Sequence, residues 1–143
     1  MASIRREIVI EAAPERVWAA LRDVGAIHTR LAPGFVTNVT LEQDARVVTF
    51  ANGVVARERI VDVDEQTRRV AWSATGNVLS HHNASAQVFA EGAQRTRFVW
   101  IADLLPNAMA PAIAGMIELG LGAIKRHLES GEATASASIA PAA

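Results

Sequence analysis

The chain of 143 residues has 14 Lys and Arg against 15 Asp and Glu, so its net charge of -1 gives no electrostatic basis for binding nucleic acid or an anionic membrane. Half of the residues are hydrophobic and a fifth are charged, which predicts one soluble, cytoplasmic domain with a sizeable core. There is no Cys and no Tyr, which excludes disulfides, thiol catalysis, thiolate-bound metals and a phenol acid.

The first third of the chain predicts a strand followed by two short helices. Apolar and polar side chains alternate over residues 5–11, which is typical of a half-buried strand. Pro14 suits the first turn of a helix and Glu15 suits its positive end, and Gly25 breaks that helix. A second short helix is expected to stop at Pro33.

Six further strand-like segments follow, separated by turns. The Asn52-Gly53 dipeptide is the strongest local signal in the chain and fits a two-residue hairpin turn. The six predicted strands cover residues 35–42, 46–51, 54–63, 69–75, 82–90 and 96–103.

A long helix is predicted to close the domain. Apolar residues recur at helical spacing over residues 106–129. Glu118, Lys125 and three glycines interrupt this stretch, so we expect a core helix and no membrane span. Residues 130–143 are mostly Ala, Ser and Thr, which predicts a disordered tail after a single domain over residues 1–129.

The turn positions predict which strand residues share a face, because directly opposed residues of neighbouring strands do so. Centring the turns sets Val39 opposite Val48, Val48 opposite Arg57 and Arg59 opposite Trp72. Arg57 and Arg59 therefore face inward unless a bulge shifts the register. The apolar residues predicted on the same inner face are Phe35, Val39, Val48, Phe50, Val55, Val61, Val70, Trp72 and Ala74.

An inward arginine needs a partner, because burying an unpaired charge is costly. Arg57 can reach the rim of the sheet or pair with a nearby carboxylate. Alternatively, Arg57 can anchor a carboxylate, enolate or carbonyl oxygen of a ligand.

A second polar cluster is predicted where the last hairpin brings residues 81–83 near Asp103. Two registers are open, one with His82 opposite Asp103 and one with Asn83 there. If the protein is an enzyme, we predict His82 as general base, Asp103 as its orienting partner and Arg57 as the group that stabilises negative charge. Asp103 can instead cap the last helix. If His82 turns to solvent, Asn83 faces inward and supplies hydrogen bonds only.

Small residues predict free volume beside the long helix. Gly120 lies close to the apolar stripe, where its missing side chain leaves room for a ligand or allows close packing against the sheet. No nucleotide, nucleophile-elbow or zinc motif is present, so no cofactor or metal is expected. The predicted ligand-binding residues are Phe50, Trp72, Asn83, Trp100, Met116 and Gly120.

This combination resembles the helix-grip superfamily, also called SRPBCC, which includes START domains, birch-pollen-allergen-like proteins and polyketide cyclase/dehydrase-like proteins. The resemblance covers residues 3–129. It is carried by the Ala-Pro-Glu-Arg-Val-Trp run at 13–18, the strand at 53–64 with its Arg-Glu-Arg triple, Trp100, and the Asp-Leu-Leu-Pro entry into the last helix at 103–106.

The resemblance implies an α+β fold in which a seven-stranded antiparallel sheet curves around the long C-terminal helix, with two short helices after the first strand. It also implies a hydrophobic cavity between sheet and helix. We therefore expect binding of a small hydrophobic or aromatic molecule, either by a cyclase or dehydratase that uses acid–base chemistry or by a non-catalytic carrier. A homodimeric interaction module is the other alternative, favoured if Leu119 and Leu121 leave apolar surface exposed.

Overall fold

A computed structural model describes the backbone of residues 1–76 and 78–142 and the side chains of residues 1–74, 76 and 78–130. Most of the predicted tail, residues 131–143, lies outside the part described with side chains, so its disorder stays a prediction. The described elements are β1 (Ala2–Ile10), α1 (Pro14–Arg22), a π-helical turn (Ile27–Leu31), β2 (Val36–Leu41), β3 (Ala45–Phe50), β4 (Val55–Asp64), β5 (Arg69–Thr75), β6 (His81–Gly92), β7 (Arg95–Leu105), a 3-10 turn (Asn107–Met109) and α2 (Ala110–Ala142).

The seven strands form one antiparallel sheet in the order β1-β7-β6-β5-β4-β3-β2, and the sheet curves around α2. This is the predicted helix-grip architecture. The helix buries Ile117, Leu121, Ile124 and Leu128 in the core. By length and composition alone, the stretch Asn107–Ser130 could also span a membrane.

The two short helices after β1 lie where the sequence predicts them. In α1, Pro14 occupies the first turn and Glu15 the positive end, while Val17 and Leu21 are buried. The indole N–H of Trp18 donates to Glu65 over 2.7 Å, which ties α1 to the turn between β4 and β5. The second helix is a single π-helical turn rather than an α-helix.

The predicted register between β3 and β4 is wrong by one residue. The N–H of Phe50 donates to the carbonyl of Val54, and Gly53 adopts a φ of +88°, so the loop has three residues, not two. Val48 therefore lies opposite Ala56, and Arg57 moves to the other face of the sheet. The one-residue shift exchanges the inward and outward sets of β4.

The register between β4 and β5 also departs from the prediction. Trp72 lies opposite Ile60 instead of Arg59, and a bulge follows Ile60. Val61, which was expected to face inward, is 56% exposed as a result. The predicted pairing of Val39 with Val48 between β2 and β3 is confirmed.

Candidate functional site

A cavity of about 340 Å³ lies between the inner face of the sheet and α2, and it reaches the size expected of a small-molecule site, about 300–1,000 Å³. Its walls are mainly apolar. The sheet side contributes Phe50, Ala56, Trp72, Ala74 and Trp100, and the helix side contributes Met109, Ala112, Ile113, Met116 and Ile117.

Aromatic rings form the inner wall of the cavity. The rings of Trp72 and Trp100 meet edge to face with centroids 5.9 Å apart, and Phe35 and Phe50 do so at 5.4 Å. Phe50, Trp72, Trp100 and Met116, four of the predicted ligand-binding residues, line the cavity. Such a wall suits a flat apolar ligand.

Gly120 lies behind this aromatic wall. A Cβ placed on it would come within 2.9 Å of Cζ3 of Trp100 and 3.0 Å of Cε2 of Phe35. Those rings fill the space of the missing side chain, so Gly120 allows close packing of α2 against the sheet. The absence of a side chain at Gly120 therefore allows Trp100 and Phe35 to take the positions in which they line the cavity.

The charged pair at the cavity is Arg46–Glu58, which the sequence analysis missed. The side chains lie 2.9 Å apart, and the residues are only 4% and 8% exposed. Arg46 also donates to the carbonyl of Val24 and lies 5.2 Å from the ring centroid of Trp72. Alternate residues of a strand face the same side of the sheet, so the inward Val48 predicts that Arg46 also faces inward. This alternation is the sequence signal for Arg46.

Burial raises the pKa of Glu58 above its ordinary value, and the attraction of Arg46 opposes that rise. Removing one member of such a pair typically costs about 3–5 kcal/mol, because the other charge is left buried without a partner. A carboxyl group with a raised pKa beside a cavity is a candidate functional group. Glu58 lines the cavity directly, whereas Arg46 lies behind it.

His82 also lines the cavity, at the point where β5 and β6 separate. The ladder between these strands ends at the pair of Trp72 with Ala84. Beyond it, the N–H of Ala74 donates to Nδ1 of His82 over 3.1 Å. Because a backbone N–H can only donate, the neutral ring carries its own proton on Nε2. Burial lowers the pKa of His82, and the adjacent His81 adds to the shift.

Glu58 and His82 flank the same residue. Glu58 lies opposite Ala74 in the ladder between β4 and β5, and His82 bonds to the backbone of Ala74 from β6. Of the described residues that line the cavity, these two have ionisable side chains. No group of three His, Asp or Glu side chains in the described part of the chain is arranged to hold a metal ion.

The last hairpin takes the register with Asn83 opposite Asp103. Successive residues of a strand point to opposite faces, so Asn83 and Asp103 lie on the outer face while His82 faces the cavity. The carboxylate of Asp103 accepts a hydrogen bond from Oγ of Ser3. The predicted pairing of His82 with Asp103 is therefore wrong, and so is the inward placement of Asn83.

Arg57 lies on the outer face of the sheet. Its side chain is 42% exposed and pairs with Glu42 at 2.7 Å. The prediction of an inward Arg57 is wrong for the reason given above, the three-residue loop before β4. The inward cation of this region is Arg46.

The fold and cavity define a helix-grip protein with a ligand-sized interior. Residues 1–129 match the model of the family described as polyketide cyclase / dehydrase and lipid transport, and the chain belongs to that family. A search of curated proteins found no match.

Solved structures share the fold at low sequence identity. XoxI from Bacillus cereus is 18% identical with a TM-score of 0.80, over 92% of this chain and 99% of that one. The di-domain ARO/CYC BexL of the BE-7585A biosynthetic pathway is 16% identical with a TM-score of 0.79, over 90% and 47%. A START superfamily protein from Mycobacterium smegmatis is 11% identical with a TM-score of 0.74, over 90% and 97%. At these identities the likeness establishes the fold alone.

Proposed function

We propose that this protein binds a small hydrophobic or aromatic molecule, in the cytoplasm, within the cavity between sheet and α2. The observation that carries the proposal is an interior space of about 340 Å³ whose wall, among the described residues, is mainly aromatic and aliphatic, with Glu58 and His82 as its ionisable groups. Apolar pockets with a few convergent polar groups are typical of small-molecule sites. The family's description, which joins cyclases with lipid transport, supports the same class of ligand.

His82 supports binding better than the base catalysis expected from the sequence. Its Nδ1 already accepts the N–H of Ala74, and its Nε2 carries a proton. The ring can take up a second proton only by giving up the backbone hydrogen bond, and its lowered pKa opposes that step. In this state His82 donates a hydrogen bond to a ligand.

A second candidate function is acid-assisted cyclisation or dehydration. The observation that favours it is Glu58, whose raised pKa beside an apolar cavity suits a proton donor. The two functions differ in what happens to the bound molecule. A carrier releases its ligand unchanged, whereas a dehydratase releases a ligand that has lost water.

Native mass spectrometry of the protein purified from its own host tests the proposal. We expect a small molecule that leaves on denaturation. Ile113→Trp, at a partly buried position of α2 that lines the cavity, should abolish its capture, whereas Leu119→Trp at an exposed position of the same helix should retain it. Capture that is equal in both variants, or a protein that is always empty, would contradict a ligand in this cavity.

Homodimerisation stays the alternative proposal from the sequence. Leu119 is 68% exposed, but Leu121 is 5% exposed and belongs to the core. Only one of the two residues thus contributes apolar surface. Sedimentation velocity at increasing concentration tests this alternative, and a monomer throughout would count against it.

A further inference from the structure

We propose that the cavity selects an uncharged aromatic ligand that carries a carbonyl group at one end and a hydroxyl group at the other, and that it rejects carboxylates and other anions. This inference deepens the ligand-binding function proposed above and rests on it. His82 is the donor for the carbonyl oxygen and Glu58 is the acceptor for the hydroxyl. Anions are disfavoured because no Arg or Lys is among the described residues that line the cavity.

His82 presents its Nε2–H as a donor. The hydrogen bond from Ala74 to Nδ1 fixes both the tautomer and the orientation of the ring. The hydroxyl of Ser73 also donates to the carbonyl of His82 over 2.8 Å, which holds the backbone of β6 at this point. His82 lines the cavity and its Nε2–H makes no hydrogen bond to another described residue, so a ligand oxygen in the cavity can accept from it.

Glu58 presents an acceptor. Arg46 donates to its Oε1 over 2.9 Å. A carboxylate can accept several hydrogen bonds and Glu58 lines the cavity, so a ligand hydroxyl that donates to it forms a bond in an apolar setting, where such a bond is worth more than in water. The two polar groups lie on either side of Ala74 of β5, because Glu58 pairs with Ala74 in the ladder from β4 and His82 accepts the Ala74 N–H from β6.

Anions are disfavoured because the nearby cation is already satisfied. Arg46 is held by Glu58, by the carbonyl of Val24 and by the face of Trp72. The described residues that line the cavity include neither Arg nor Lys. A buried anionic ligand would thus lose its hydration without gaining a counter-charge, and it would lie near the carboxylate of Glu58.

Four naphthalene probes that differ in one group each test the inference by isothermal titration calorimetry at pH 8. They are 6-hydroxy-2-acetonaphthone, the carboxylate 6-hydroxy-2-naphthoate, 6-ethyl-2-naphthol without the carbonyl, and 2-acetonaphthone without the hydroxyl. The hydroxy ketone should bind most tightly. The carboxylate should bind at least about tenfold more weakly, because its charge finds no partner. Loss of either polar group should weaken binding about fivefold.

Variants assign each preference to its residue. In His82→Leu, the hydroxy ketone and the ethyl compound should bind equally. In Glu58→Gln, the ratio of the dissociation constant of the carboxylate probe to that of the hydroxy ketone should fall several-fold. Because Glu58→Gln leaves Arg46 unpaired, the double variant Arg46→Met with Glu58→Leu provides a folded alternative in which the hydroxyl preference should vanish. Glu42→Gln, in the exposed ion pair with Arg57, is the matched control and should change nothing.

Two outcomes in the wild-type protein overturn the inference without needing any variant. One is a carboxylate that binds as tightly as the ketone, and the other is an imidazole of His82 whose ¹⁵N shifts report a proton on Nδ1. Full carbonyl preference in His82→Leu would also overturn it. Failure of all four probes to bind is a different result, because it would contradict the proposed ligand-binding function itself.

Discussion

The burial of His82 predicts how the stability of the protein depends on pH. Burial lowers its pKa below the ordinary value of 6.5, so the unfolded chain takes up a proton at a higher pH than the folded protein does. The contribution of His82 to stability is therefore complete above pH 6.5 and is lost as the pH falls through the folded pKa. The free energy of unfolding should decrease on acidification over this range, as measured by urea denaturation.

The control for this pH dependence lies next to it in the chain. His82→Gln should flatten the slope of the unfolding free energy against pH, even if it also lowers the overall stability. His81→Gln, at an exposed position, should leave most of the slope in place. An unchanged slope in His82→Gln would mean that other groups account for the acid sensitivity.

The sequence predicts least well which face of the sheet an individual side chain occupies. Asn52-Gly53 marks a turn, but the dipeptide does not say whether the loop has two or three residues. That difference of one residue moves Arg57 outward and Glu58 inward. The charged group of the cavity was therefore assigned to the wrong residue of β4, although the fold around it was predicted.

At the scale of elements, the sequence predicts strands and helices well. Alternation predicts the strands, and helical spacing predicts α2. The turn between β2 and β3 has the predicted length, as the pairing of Val39 with Val48 confirms, but a bulge between Val36 and Asn38 places Val36 opposite Phe50 where the turn alone predicts Thr37. Bulges, such as the one after Ile60, leave no local signal in a single sequence and limit the prediction of faces.

Two glycines of α2, Gly115 and Gly120, should respond differently to the same substitution by alanine. A Cβ at Gly115 meets nothing within 4 Å, so Gly115→Ala should stabilise the protein by about 1 kcal/mol through helix propensity. At Gly120 the same change presses on Trp100 and Phe35, and overpacking of about 1–3 kcal/mol should cancel or exceed that gain.

Urea denaturation of the two glycine variants measures this difference, and ligand titration shows its effect on the cavity. Gly120→Ala should also weaken ligand binding, because Trp100 and Phe35 form part of the cavity wall and their displacement changes its shape. Equal stabilisation by both substitutions would contradict the close packing of α2 at Gly120.

A second prediction about packing concerns the side chains that separate the cavity from a neighbouring groove. Phe35, Phe50 and Met116 line both the cavity and a separate groove of about 330 Å³ that also contacts Pro33 and Leu119. Phe50→Ala should join the two spaces. The variant should bind 6-hydroxy-2-octanoylnaphthalene more tightly than the wild type does, while binding of the acetyl compound changes little.

Calorimetry with the acetyl and octanoyl compounds measures this change in length preference. Phe89→Ala is the control, since Phe89 lies on the outer face of the sheet beneath Arg97. If Phe50→Ala has the same relative affinity for the octanoyl and acetyl compounds as the wild type, the side chain of Phe50 does not limit the length of the ligand.

At the scale of the whole molecule, every group that builds the cavity lies within the residues matched by the family. The cavity lining ends at Ile117, and the buried core continues along α2 to Leu128. Glu129 then accepts the N–H of Glu11 over 2.9 Å and the ammonium of Lys125 over 2.6 Å. These contacts hold α2, at the last turn whose side chains are described, against the end of β1.

The domain limit at residue 129 stays a prediction from the sequence, and truncation tests it. A chain that ends at Ser130 keeps Leu128 and Glu129, so its free energy of unfolding should stay within about 0.5 kcal/mol of that of the full chain. A chain that ends at Arg126 loses the buried Leu128 and should be destabilised by about 2–5 kcal/mol. Urea denaturation of the two chains separates these expectations, and a large loss in the longer one would place part of the folded domain within residues 131–143.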